Sequence, residues 1–139
     1  MNHILLLAAA LLICSRGDGD EGPRNIGSGH RVVTLDCYYN NEWKQDSLGH
    51  RWRYHYTWAD TLDSGYSQLG RLIEGLGGTL DTLCRPPTAE ALSRTDIYLI
   101  VDPDTPKETD RPAFIDDSAA STLARWVSSG GTLLLFGND

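Results

Sequence analysis

Twice in this chain an apolar helical stripe runs into a pair of glycines and leaves it as a strand. Gly77-Gly78-Thr79-Leu80 and Gly130-Gly131-Thr132-Leu133 are the same local device. Glycine ends a helix cheaply because it takes positive φ without a Cβ clash. Ahead of the first pair, Tyr66, Leu69, Leu72, Ile73 and Leu76 recur at steps of three and four, which draws one stripe on a helix. Ahead of the second, Ala119, Ala120, Leu123, Trp126 and Val127 do the same behind Asp116 or Asp117 as a cap. Four runs read as strands: Arg31–Asp36, Thr79–Leu83, Ile97–Val101 and Thr132–Phe136. The third is nearly all apolar, the mark of a strand covered on both faces. A short helix is expected over Thr88–Leu92, after Pro86-Pro87, with Thr88 as its cap.

Strands alternating with helices predict an α/β fold with a parallel sheet and right-handed crossovers. The expected strand order is 2-1-3-4, as in flavodoxin-like sheets. The sequence stops directly after a strand of core character, so the expectation is an N-terminal part of a longer protein, truncated after its fourth strand. With 139 residues there is room for one domain, expected over 30–139.

Residues 1–17 read as an export signal. Ile4–Ile13 is an unbroken apolar run, too short to span a hydrocarbon core of about 30 Å. Cleavage is expected near Ser15 or Gly17, with Cys14 as an alternative lipid-modified residue. Residues 18–29, rich in glycine and polar groups, predict a flexible lead-in. The expected location is the periplasm or the extracellular space, with no membrane contact after cleavage unless Cys14 is lipidated. Cys37 and Cys84 then remain, and form either one disulfide or two buried thiols. Neither a metal ion nor another cofactor is expected. Twelve Lys plus Arg against nineteen Asp plus Glu give a net charge of -7, which argues against a nucleic-acid partner.

In open parallel sheets, ligands bind beyond the carboxyl ends of the strands. There the sequence places Asp36, Cys37, Arg85, Asp102, Asp104, Asn138 and Asp139. Clustered carboxylates can hold a cation or act as an acid and base pair, and the same residue types also cap turns at strand exits. Between the first strand and the first helix, Tyr38, Tyr39, Trp43, Trp52, Tyr54, Tyr56 and Trp58 crowd together with His50, Arg51, Arg53 and His55. Rings in such a stretch can pack on sugar faces, with Asn40, Asn41, Glu42 and His55 bonding hydroxyls. The alternation from Arg51 to Tyr56 equally fits a short half-buried strand. Lys107, Glu108, Asp110 and Arg111 read as solvated charges on a proline-rich loop.

Tyr38-Tyr39-Asn40-Asn41-Glu42, His55-Tyr56-Thr57-Trp58, Asp63-Ser64-Gly65-Tyr66-Ser67, Val101-Asp102-Pro103-Asp104-Thr105-Pro106-Lys107-Glu108, and Gly130-Gly131 with Phe136-Gly137-Asn138-Asp139 stand in one order. Together they resemble the domain found with unsaturated rhamnogalacturonyl hydrolases of bacterial pectin degradation. The resemblance implies a fold similar to class I glutamine amidotransferases and an accessory role in pectin breakdown. It implies no glutaminase activity, because the turn matching the nucleophile position, Phe136-Gly137-Asn138-Asp139, holds no cysteine. The expected partners are pectin-derived carbohydrate or a glycoside hydrolase domain. The ligand-binding candidates are Asn41, Glu42, His55, Trp58, Asp102 and Asp104. The alternative expectation is a carboxylate-based hydrolase, with or without a metal ion, using Asp102, Asp104 and His55.

Overall fold

In a computed structural model the chain is described over residues 30–62 and 64–137. The expected signal and lead-in, Asp63, Asn138 and Asp139 lie outside the described residues. Four strands, β1 (Val32–Asp36), β4 (Thr79–Leu83), β5 (Ile97–Val101) and β6 (Thr132–Phe136), form one sheet in the order β4-β1-β5-β6. Every pairing in it is parallel. Two further short strands, β2 (Trp43–Gln45) and β3 (Arg51–Arg53), make a separate antiparallel hairpin. The helices are α1 (Ser67–Gly75) and α2 (Asp117–Ser128).

The side-chain period of two sorts the strands between two layers. Val33, Leu35, Leu99 and Val101 face α1, packed by Trp58, Tyr66, Leu69 and Ile73. Tyr98 and Ile100 face α2 with Tyr39, Leu83, Leu92 and Leu123. Thr34 and Asp36 alternate onto that second face. Thr34 shares a 2.8 Å hydroxyl bond with Thr95 there, and Asp36 accepts the Tyr98 hydroxyl.

Both glycine pairs close their helices by the same hydrogen bonds. The Gly77 and Gly78 amides donate to Glu74 and Ile73, and those of Gly130 and Gly131 to Val127 and Trp126. In each, a paired set of bonds satisfies the last carbonyls, and the first glycine stands at positive φ, +85° at Gly77 and +101° at Gly130. Gly130→Ala is therefore expected to cost about 1–2 kcal/mol, the penalty of an L-residue in the left-handed region. Urea unfolding measures it directly, and an unchanged midpoint would contradict the assignment. Asp116 caps α2, its carboxylate accepting the Ala119 amide at 2.7 Å.

Two local expectations are corrected. Thr88–Leu92 is a run of turns, not a helix. Thr88 caps as expected, its hydroxyl taking the Ala91 amide at 3.1 Å, but only Leu92 reaches back four residues before the bonds tighten to three at Ser93 and Thr95. So short a segment gains too few bonds to offset helix nucleation. The strand expected over Arg51 to Tyr56 stops at Arg53 and is mostly exposed, not half-buried. It stops because His55 and Tyr56 turn to φ of +57° and +41°, which no strand accommodates.

Candidate functional site

The register brings the ends of β1 and β5 to one rim, with Leu35 beside Leu99. Directly after β1 the chain doubles back. The Asp36 carboxylate gathers the amides of Tyr38 at 3.1 Å and Tyr39 at 2.8 Å, with Asn40 at 3.4 Å, and its other oxygen takes the Tyr98 hydroxyl. Burial nonetheless raises its pKa above the usual carboxylate value, the hydrogen bonds offsetting only part of the desolvation. Asp36 is thereby a loop-former, with both oxygens occupied.

The loop so formed is stitched to the exit of β5. Asn40 Nδ2 donates to the Asp102 carbonyl at 2.9 Å, and the Asp104 amide donates to the Tyr39 carbonyl at 2.9 Å. The Asp104 carboxylate, 4% exposed, accepts the Asn41 amide at 3.1 and 3.2 Å. Its pKa is raised, by burial first and by Glu42 and Glu108 after it. From β3, Arg53 clamps the same loop, donating to the Cys37 carbonyl at 2.6 Å, to the Asn41 side chain at 2.9 Å and to the Asn40 carbonyl. A disulfide between Cys37 and Cys84, Cα atoms 4.5 Å apart, ties the exits of β1 and β4.

Above this stitched floor sits a second set of groups. His55 Nδ1 lies 2.6 Å from Glu42 Oε2, with side chains 38% and 15% exposed. The approach is off the hydrogen-bond direction, and this buried oxygen has no other partner among the described residues. Tyr54 stacks at 4.0 Å, centroid to centroid, on the imidazole. The Asp102 carboxylate lies near the Tyr56 phenol, and burial followed by that carboxylate pushes the phenol up to about 12. Asp102 itself stands at φ +44°. His55, Tyr56 and Asp102 are the non-glycine residues with positive φ among the described residues, and they gather at this one place. Strain of this kind persists only where surrounding contacts over-determine it, and it concentrates at functional sites.

Beside this set an open groove of about 280 Å³ runs between the hairpin and the 108–110 loop, lined by Asn41, Glu42, Trp43, Arg51, Tyr54 and Glu108 among others. Trp43 is 45% exposed; its indole N–H donates to the Asn41 side chain at 2.9 Å, and the Arg51 guanidinium lies 5.0 Å from its ring centroid. Glu108 is held by the Thr105 amide and hydroxyl at 2.7 and 2.8 Å, bonds that lower its pKa.

Of the expected candidates, Asn41 and Glu42 line this groove, His55 touches Glu42, Asp104 holds Asn41, and Asp102 lies near Tyr56, the residue after His55. Trp58 stands apart from them. Its indole N–H is spent on the Asp81 carbonyl at 2.8 Å and its ring packs against the α1 face of the sheet. Arg85 is exposed on the chain after β4. Trp43, Arg51, Tyr54 and Glu108 join the groove without having stood out as candidates. For Glu108 the signal was present: Thr105-x-x-Glu108 is a capping-box spacing.

Among the described residues no group of three or more His, Cys, Asp or Glu could hold a metal ion, and no helix is long and apolar enough to cross a membrane. The fold is that of an α/β protein with a four-stranded parallel sheet. No family model matches the chain, and neither a curated protein nor a solved structure matches it.

Proposed function

We propose that this chain is an exported accessory domain with a flavodoxin-like, amidotransferase-like fold, which binds pectin-derived saccharide at the rim groove and has no glutaminase activity. The groove carries the proposal. It offers the side chains of Asn41, Glu42 and Glu108 to hydroxyls, and Arg51, set beside the Trp43 ring, to a uronate carboxylate. Three further observations support it. The parallel order β4-β1-β5-β6 supports a flavodoxin-like reading, in which ligands bind beyond the carboxyl ends of the strands. The Cys37–Cys84 disulfide suits an oxidising compartment. The groove is open and lies near the low end of ligand-site volumes, about 300–1,000 Å³, which fits a saccharide chain lying across it.

Titration of the full-length protein with rhamnogalacturonan oligosaccharides in a calorimeter tests this. Trp43→Ala with Arg51→Ala is expected to weaken binding about tenfold or more, equivalent to about 1.4 kcal/mol. Equal affinity in wild type and double variant would remove the groove from the account. An absence of heat with saccharide, together with capture of a helical-barrel glycoside hydrolase, would favour the partner-domain reading instead.

The carboxylate-based hydrolase is supported less well. Asp104 is turned inward onto the Asn41 amide, and Asp102 lies near the Tyr56 phenol.

A further inference from the structure

We propose that Glu42 and His55 make this rim a base-assisted hydrolytic centre for carboxylic esters carried on a saccharide. The saccharide half rests on the reading above; the ester-cleaving half stands on the pair itself. His55 Nδ1 is the nitrogen turned to Glu42, at 2.6 Å, which leaves Nε2 to a ligand or water. Where the carboxylate takes a directed bond from that nitrogen as substrate binds, the other nitrogen becomes the base.

Two independent observations point to use of this pair. Glu42 Oε2 is buried with no properly directed hydrogen bond, and the imidazole nitrogen is the group set 2.6 Å from it. The backbone carrying the imidazole is left-handed at His55 and again at Tyr56, a conformation for which glycine or asparagine is the relaxed choice.

The surroundings favour ester over glycoside chemistry. Glycoside cleavage needs a carboxylic acid to protonate a poor leaving group. The Asp104 carboxylate faces the Asn41 amide, Asp102 lies near Tyr56, and the Tyr56 phenol is pushed up to about 12. Ester hydrolysis needs only the base. His55 Nε2 takes a proton from water as the water oxygen bonds to the acyl carbon. The tetrahedral adduct then expels the sugar oxygen, breaking the acyl C–O bond, and that oxygen recovers the proton from Nε2. The products are a carboxylic acid and a free hydroxyl, and no electron changes hands. Glu42 is the positioning residue, facing the imidazolium while it carries the proton.

The test uses the full, disulfide-intact chain with p-nitrophenyl acetate and with an acetylated oligogalacturonide. His55→Asn keeps a side chain suited to the left-handed backbone and is expected to lower kcat/KM by about 100-fold or more on both esters. Glu42→Gln is expected to lower kcat roughly tenfold on p-nitrophenyl acetate with KM for that simple ester unchanged, a split that a purely structural loss would not give. His55→Gly, relaxed at this φ, is expected to regain turnover with added imidazole. Wild-type turnover no faster than free imidazole at equal concentration, or unchanged in His55→Asn, would overturn the proposal. Turnover of the simple ester without any preference for the saccharide ester upholds the Glu42–His55 base and overturns the saccharide reading.

Discussion

Asp36→Ala is expected to destabilise the protein by about 3–5 kcal/mol, a large share of the about 5–15 kcal/mol that holds an ordinary domain folded. The substitution leaves the Tyr98 hydroxyl and the amides of Tyr39 and Asn40 without their acceptor, in a place where Asp36 is 4% and Tyr98 0% exposed. Asp36→Asn is expected to stay within about 1 kcal/mol of wild type at neutral pH, since its amide keeps an acceptor for the backbone and a donor for the phenol oxygen. Denaturant midpoints of the two variants separate lost bonds from lost charge. Similar midpoints for both would contradict the hydrogen-bond reading.

The same carboxylate sets a pH dependence. Burial raises the pKa of Asp36, and of Asp104, above the ordinary value of 3.8, so the folded state holds these protons more tightly than the unfolded one. Their stabilising contribution is complete below 3.8 and is lost as the pH rises through the folded values. Stability is therefore expected to rise as the pH falls through the folded values toward 3.8, and to rise less in Asp36→Asn. Asp46 and Glu108 are lowered from 3.8 and 4.5, so their opposing effect sets in only under more acidic conditions.

Removal of the Cys37–Cys84 disulfide is the second large effect. The bridge spans 47 residues, and closing a loop of that length takes about 4 kcal/mol from the unfolded ensemble. That loop contains the hairpin, α1, β4 and the groove's aromatic wall. It is closed at the rim, where Arg53 also donates to the Cys37 carbonyl. Cys37→Ser with Cys84→Ser is expected to lower the unfolding free energy by about 2–4 kcal/mol, and reductant is expected to do the same to wild type but not to the variant. A wild-type transition indifferent to reductant would show that the bridge is not formed.

The parallel strands and both helices were legible because their signals are local: β-branched or leucine-rich runs, stripes at helical spacing, and glycines that stop each helix. Trp43-Lys44-Gln45 carried no such signal. It is three residues long and exposed, and it is a strand only because Arg51–Arg53 returns beside it. Trp58 shows why rings were hard to place. A tryptophan in an aromatic stretch reads alike whether it faces a ligand or a core, and only the Asp81 carbonyl and the α1 packing decide. Asp36 and Asp104 were readable as rim carboxylates but not as occupied ones. The bonds to Tyr98 and Asn41 span 62 and 63 residues of sequence. The meeting of His55 with Glu42 likewise depends on the hairpin and on two left-handed residues that no composition or spacing announces.

Amide and indole chemical shifts of the isotopically labelled protein, followed through titration with an acidic pectin oligosaccharide, test the rim groove most directly. The expected shifts concentrate at Asn41, Glu42, the Trp43 indole, Arg51 and Tyr54, leaving the Trp58 indole unmoved. A spectrum that stays fixed at saturating saccharide, or changes clustered around Thr61–Leu69 instead, would contradict the groove as the binding site.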